Sequence, residues 1–487
     1  MKAIGKDFGD VARKTYAVAS GALGNGNTCV VNSDGTVSVA TGNDASLGSV
    51  GVFSSSNVDS CSATFDSNSN RVVIVYADKS ATGSGYGTAV VGTLSGSSIS
   101  YGTPVVFDSA GEAVSPSITF DSNSNRVVIV YRVAQADTAG WAIVGTVSST
   151  AISFGTRVSF NGAQTLYSGI TFDSNSNKVV IAYMDAGNSN YGTAIVGTVS
   201  STAISFGSEA VFESATARYM LRGVAFDSNS NKVVIAYMDD DDGNAGKCVV
   251  ATVSGTSISF GTAVEFAANV TAAANCVATF DSTSNKMLIA YGDADNSNYG
   301  TAKMGSVSGT SISFGSAAVF NASYFGFGDA AYDTSADRTV ITYQGPSDKA
   351  AYVVATVSGT SVSFSSEAYW LPESDEAREN GITFDSNSNK IVFVGRNASD
   401  TDGVARVFTV GATNLTSENY IGITPSAYPT GAGAEIQTKG AVNEQQSGLT
   451  AGQSYYVQTD GTLGLTAATP SVFAGTAVSA TKIIVKG

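Results

Sequence analysis

The chain has 487 residues, of which 43% are hydrophobic and 13% charged, with a formal net charge of −15 and no histidine. That acidic balance disfavours nucleic acid or an anionic membrane surface as partner, because such binding is driven by Lys and Arg displacing counterions. The missing histidine removes the usual general base, and no segment approaches the roughly 18 apolar residues of a membrane span.

In chain order, the opening MKAIGKDFGDVARKTYAVASG lacks the apolar centre of a signal peptide, so a product made in the cytoplasm, with no membrane insertion, is expected. GALGNGNTCVVNSDGTVSVA follows, and GLTAGQSYYVQTDGTLGLTA close to the other end shares with it a Leu, a Gly and an Asp-Gly-Thr, with Leu23, Gly26 and Asp34 matching Leu449, Gly452 and Asp460. Asp34-Gly35 and Asp460-Gly461 read as hairpin turns. The next segment, LGSVGVFSSSNVDS, carries the pattern of FGTAVEFAANV found far downstream.

From there the chain repeats. An anchoring Asp falls at Asp66, Asp121, Asp173, Asp227, Asp281, Asp333 and Asp385, at intervals of 52 to 55 residues. Within the third repeat, SGITFDS, NKVVIAYMD, GTAIVGTVS and AISFGTRVSF are four strand-like runs parted by Asn, Ser and Gly turns. One such meander cannot bury both faces, so the copies must pack on one another, and this repeat length matches a propeller blade. The seventh repeat lacks its SISFGTxVxF strand, which the segment ending at Phe53 can supply. The expectation is therefore an all-β fold: a seven-bladed β-propeller of four-stranded blades over residues 36–411, closed by an N-terminal strand. Residues 1–35 and 412–487 are expected to form one small discontinuous β module.

The repeats also divide by face. Turns expected at the bottom are nearly uniform (DSNSNK, VSGTSISF), whereas the top loops diverge and carry Tyr86, Trp141, Tyr167, Tyr191, Tyr299 and Phe327 among Asp and Asn. Diversified loops on a rigid scaffold are where recognition resides. The ligand-contact candidates are Tyr324, Phe325, Tyr369 and Trp370, with Tyr219 and Arg222 next; the alternative is that some of these rings cover the upper end of the core.

DSNSN matches the first half of a calcium loop, but Lys or Arg stands where Gly is required and no Glu completes it, so it reads as an Asx turn. Asp239, Asp240, Asp241 and Asp242 form a weaker cation candidate, against which stands an ordinary solvated loop tip. Cys29, Cys61, Cys248 and Cys276 lack CxxC spacing and read as buried thiols. A glycosidase would need paired carboxylates, and a sialidase a cluster of Arg. Glu213, Glu373, Glu376, Arg218, Arg222 and Arg378 are scattered, so no catalytic residues, no cofactor and no enzymatic role are expected; Glu213, Arg218 and Arg222 make the least implausible catalytic group.

The repeat ITFDSNSNKVVIAYMDAGNSNYGTAIVGTVSSTAISFGT, the opening YAVASGALGNGNTCVVNSDGTVSV and the ending SGLTAGQSYYVQTDGTLGLTAATPSVFAGTAVSATKIIVKG resemble segments of tail-fibre and other structural proteins of marine phages, cyanophages among them. The resemblance spans nearly the whole chain and contains no catalytic motif. It implies a place on the virion surface, on tail or capsid, other virion structural proteins as partners, and a host-surface glycan or protein as a further one. A homo-oligomer is also compatible with it. The alternative is a decoration or cap protein that binds no receptor.

Overall fold

The computed structural model describes residues 13–79, 85–134, 138–271, 276–372, 377–468 and 470–486. It is an all-β protein of antiparallel sheets, with three single-turn 3-10 helices among the described residues. No described helix is long and apolar enough to cross a membrane. The chain divides into two compact units, one of residues 47–409 and one of residues 1–46 with 410–487.

In the larger unit every repeat forms an antiparallel meander. The third repeat runs Thr165–Asp173, Lys178–Asp185, Tyr191–Ser200 and then an outer strand in two pieces, Ala203–Phe206 and Ala210–Arg218, both paired to Tyr191–Ser200. The second strands, VVIAY or VVIVY, are buried on both faces, as strands sandwiched between sheets must be. At the first turn, Asp173 Oδ1 accepts the backbone N–H groups of Asn175 and Ser176 at 2.9 and 3.0 Å, and Asn177 takes a left-handed φ of 55°. The other repeats make the same Asx turn, for example at Asp66, Asp227 and Asp385. The Asp is spent on its own backbone, which is a folding role.

Packing between repeats follows one rule. The Phe of each outer strand meets the last Tyr of the next repeat's second strand: Phe107 with Tyr131, Phe160 with Tyr183, Phe212 with Tyr237, Phe266 with Tyr291 and Phe320 with Tyr343, at centroid separations of 5.0 to 5.4 Å. Phe53, on the strand Ser46–Ser54, makes this contact with Tyr76 of repeat one at 5.2 Å. The same strand lies next to Gly403–Thr409 in the sheet of repeat seven, and a Cβ on Gly403 would run into the Phe53 ring. First strands of successive repeats lie side by side, and that of repeat seven adjoins that of repeat one.

One pair departs from the rule. Repeat seven has Gly395 where the others have Tyr, and the outer strand of repeat six has Trp370 where the others have Phe. The Trp370 indole fills the vacated volume, stacked on Phe393 at 5.5 Å and 16°, and a Cβ on Gly395 would meet the indole at 3.2 Å.

The smaller unit begins and ends differently from the expected boundaries. Residues 36–46 belong to it, because Val37–Val39 pairs with Thr28–Val31. It holds two five-stranded sheets of the same strand order. The first is Lys14–Val18, Gly433–Gln437, Tyr420–Ile423, Thr28–Val31 and Val37–Val39; the second is Val442–Asn443, Lys482–Val485, Val472–Ser479, Ser454–Val457 and Leu463–Gly464. Both sheets carry a bulge at the same place, where Cys29 faces Gly422 and Tyr455 faces Gly475. Their hairpin tips also match. Asp34 Oδ1 accepts the Thr36 N–H and hydroxyl at 2.9 and 2.6 Å, and Asp460 Oδ1 accepts those of Thr462 at 2.9 and 2.7 Å. The unit is thus a duplicated sheet, with the repeats inserted between the third and fourth strands of the first copy.

Candidate functional site

Most inner strands carry a bulge near their upper end. Ser60, Ser115, Tyr167 and Phe327, each six residues before the anchoring Asp, have φ values of 51°, 49°, 54° and 46°, and Tyr219 in repeat four has 59°. The ladder register shifts at the same points, for example between Leu166 and Gly169 and between Gly326 and Asp329. Bulky side chains rarely accept this conformation, which costs on the order of 1–2 kcal/mol per residue. Here the bulges bring side chains from six of the seven repeats to one cleft of about 290 Å³. Its lining includes Asp59, Ser60, Glu112, Ser115, Tyr167, Tyr219, Arg222, Phe327 and Asn380.

The walls are aromatic. Tyr167 and Tyr219, both half-buried, hold their rings 4.9 Å apart, and burial, reinforced by Tyr167, pushes the Tyr219 phenol up to about 12. At the rim, Lys79 bridges Asp59 and Glu112, the latter at 3.0 Å.

The floor is a buried ion pair. Arg222 donates to the Ser62 hydroxyl at 2.8 Å and the Cys61 carbonyl at 2.7 Å in repeat one, and its Nε lies 3.4 Å from Asp329 in repeat six. Burial raises the Asp329 carboxyl above the usual range while Arg222 opposes that shift. Asn380 is 3% exposed, and neither of its amide atoms has a hydrogen-bond partner.

The structure redistributes the expected contact residues. Tyr219 lines the cleft, and Arg222 lies at its base as a cross-link. Phe325 is fully buried between Phe320 and Tyr343, and Trp370 is fully buried for the reason given above, so neither can touch a ligand. Tyr324, half-buried, lies across from Tyr299 on the neighbouring strand, and the Tyr369 hydroxyl donates to Glu367 at 2.9 Å under Lys349. Neither of these lines the cleft. Tyr167 and Phe327, passed over among the top-loop aromatics, do.

Each carboxylate of the acidic run is already engaged with a neighbouring protein group. Lys247 Nζ lies 2.7 Å from both Asp239 and Asp242, Asp240 pairs with Arg218 at 3.0 Å, and Asp241 accepts the Thr216 N–H at 3.0 Å. Among the described residues no group of three or more His, Cys, Asp or Glu is placed to hold a metal ion. The three residues weighed as a catalytic group have separate partners: Glu213 accepts the Tyr237 hydroxyl at 2.7 Å, Arg218 holds Asp240, and Arg222 holds Asp329. Glu373, Glu376 and the Arg378 side chain lie outside the described residues. The four cysteines are buried. Beside the uniform first turns a second, more open depression is lined by Phe65, Phe120, Phe172, Phe226, Phe280 and Phe384 together with Ser and Thr.

No protein-family model matches the chain, and no curated protein matches it. Solved structures do. The BP39L lectin from Burkholderia pseudomallei is similar with a TM-score of 0.55 at 12% identity, over 74% of this chain and 99% of the lectin. A protein of unknown function from Dyadobacter fermentans gives 0.45 at 9% identity, over 75% of this chain and 99% of that one. The NanB sialidase from Streptococcus pneumoniae gives 0.43 at 10% identity, over 74% of this chain and 69% of the sialidase. At such identity the lectin likeness speaks for the all-β, propeller-like scaffold alone.

Proposed function

We propose that the repeats form a seven-bladed β-propeller and that its upper cleft binds a neutral glycan without catalysis. The packing of Phe53 against Tyr76 supports closure of the ring. The observation that carries the ligand reading is the set of strained aromatics: Tyr167, Tyr219 and Phe327 hold left-handed backbone and face a cleft. Strain retained at a site is a pointer to function, and flat rings beside amides and carboxylates suit the faces and hydroxyls of a sugar. Lys79 and Arg222 are engaged with carboxylates, and Arg132 lies in the field of Glu112, which favours a neutral sugar over an anionic one. That a lectin shares the scaffold agrees with this reading. The paired rim carboxylates and the raised Tyr219 phenol disfavour a glycosidase. The sequence resemblance to phage tail-fibre proteins supports a place on a virion, with a host-surface glycan as target.

Tyr167→Gly and Tyr219→Gly on a glycan array provide the test. Glycine relieves the left-handed backbone, offsetting the loss of a half-buried ring, so the melting temperature should stay nearly constant. Binding should fall at least about thirtyfold, the loss of a true aromatic anchor. An array on which the protein binds nothing, or binding that survives both changes, refutes the glycan reading.

A further inference from the structure

The smaller unit contains a contact that is made once and left open at both ends. The hairpin tip of the second sheet seats on the first: Thr28 Oγ1 donates to the Gly461 carbonyl at 2.6 Å and Thr413 Oγ1 to the Thr459 carbonyl at 2.9 Å, while the Thr459 hydroxyl meets Asp44 at 2.5 Å. A Cβ on Gly461 would run into the Ala40 carbonyl. Around this tip, Val30, Ala40 and Ile423 of the first copy are buried in one cluster with Leu449, Tyr455 and Val457 of the second.

Among the described residues, both halves of this contact exist a second time without an occupant. The first copy's own tip, Ser33, Asp34 and Gly35, is exposed, and nothing lies within 4 Å of a Cβ built on Gly35. On the second copy, the counterparts of Thr28, Ala40, Val30 and Ile423 are Ser454, Thr466, Tyr456 and Thr476. Thr28 and Ala40 are 2% and 0% exposed, whereas Ser454 and Thr466 are exposed and Tyr456 and Thr476 half-buried. Beside them Leu465 is 56% exposed. Of the exposed large hydrophobics among the described residues, Leu465 lies on this surface, where a partner would cover it.

We propose that a second copy of this chain fills the gap, the Asp34-Gly35 tip of one chain seating on the Ser454, Tyr456, Leu465 and Thr466 surface of the next. Tip and seat are different surfaces, so the contact either closes into a pair that exchanges tips or repeats head to tail into a ring or a filament. The internal contact is the template, and the partner is supplied by the same sequence. This assembly is independent of what the cleft binds.

Light scattering and sedimentation of the full chain test the proposal, with Ser33→Arg on the tip and Thr466→Arg on the seat, both exposed. Wild type at tens of micromolar should be multimeric, and each variant should fall to the mass of one chain, 49.4 kDa, with an unchanged melting temperature. Mixing the variants should restore a species of two chains and nothing larger, because Ser33→Arg keeps an intact seat and Thr466→Arg an intact tip. A wild type that stays at one chain, a multimer indifferent to both changes, or a mixture that remains monomeric each overturns the proposal.

Discussion

Exchanging Trp370 and Gly395 for the residues used between the other repeats tests the packing rule that removes Trp370 from the ligand face. Trp370 is 0% exposed, and its outer ring atoms lie 3.2 and 3.3 Å from where a Cβ on Gly395 would stand. Trp370→Phe deletes that ring and leaves a void opposite a glycine, at a cost of about 2 kcal/mol. Gly395→Tyr alone drives a phenol into the indole, and overpacking of this kind costs about 3 kcal/mol. The double variant recreates the Phe and Tyr pair that recurs at 5.0 to 5.4 Å. It also removes an indole N–H that has no hydrogen-bond partner and a glycine from a strand interior, itself worth about 0.5–1 kcal/mol. The double variant should therefore be at least as stable as wild type, with a coupling of about 5 kcal/mol or more between the two sites. Urea unfolding of the four proteins, compared by midpoint at constant slope, measures it. Losses that simply add, to within about 0.5 kcal/mol, would show that the two residues do not exchange volume.

Two further outcomes are expected. Phe53→Ala should cost about 3–5 kcal/mol, as much as Phe160→Ala, since the two rings are 5% and 4% exposed; a loss under about 1 kcal/mol would mean that the N-terminal strand frays and the ring is open. In acid the smaller unit should yield first. Hydrogen bonds to Thr36, Tyr16 and Thr462 hold the Asp34, Glu435 and Asp460 carboxyls below their ordinary values, so their contribution is present above about pH 4 and is lost as pH falls through the lowered values. Asp329 in the larger unit is shifted the other way and loses nothing on protonation. Limited proteolysis with pepsin between pH 5 and 2.5 should cut within 410–487 before it cuts the repeats; the reverse order would contradict the assignment.

Much of this architecture is legible in the sequence because it is periodic. The spacing of the Asp residues marks each hairpin, and the equal spacing of Gly48 with Phe53 and Gly155 with Phe160 identifies the strand that completes repeat seven. The duplicated hairpins were visible as two DGT motifs, but the strands completing each sheet share little beyond a bulge glycine, Gly422 or Gly475, so the second sheet could not be read as a copy of the first. The site was less legible. Tyr324, Phe325, Tyr369 and Trp370 stand out by aromatic density, yet Phe325 and Trp370 answer to packing. The signal for Trp370 was present: KIVFVGR has Gly where six repeats have Tyr, and EAYW has Trp where the others end in Phe. Tyr167 and Phe327 could have been found by counting six residues back from the Asp, where a bulge turns the side chain toward the middle. The reach of Arg222 to Ser62 and Asp329 joins residues more than a hundred positions apart, and no local pattern encodes it.

The split of the first duplicated sheet sets an order of events during synthesis. The second sheet is contiguous from Val442 to Val485, whereas Thr28–Val31 must wait for Tyr420–Ile423. At about 5–20 residues per second the ribosome reaches that partner roughly 20 to 80 s later. Until then the apolar TCVV strand has an open edge, and the hairpin ending in Asp34-Gly35 lacks the sheet that holds it. A chain cut short anywhere in the repeats never completes that sheet, so the tip reaches its final form only in a finished molecule.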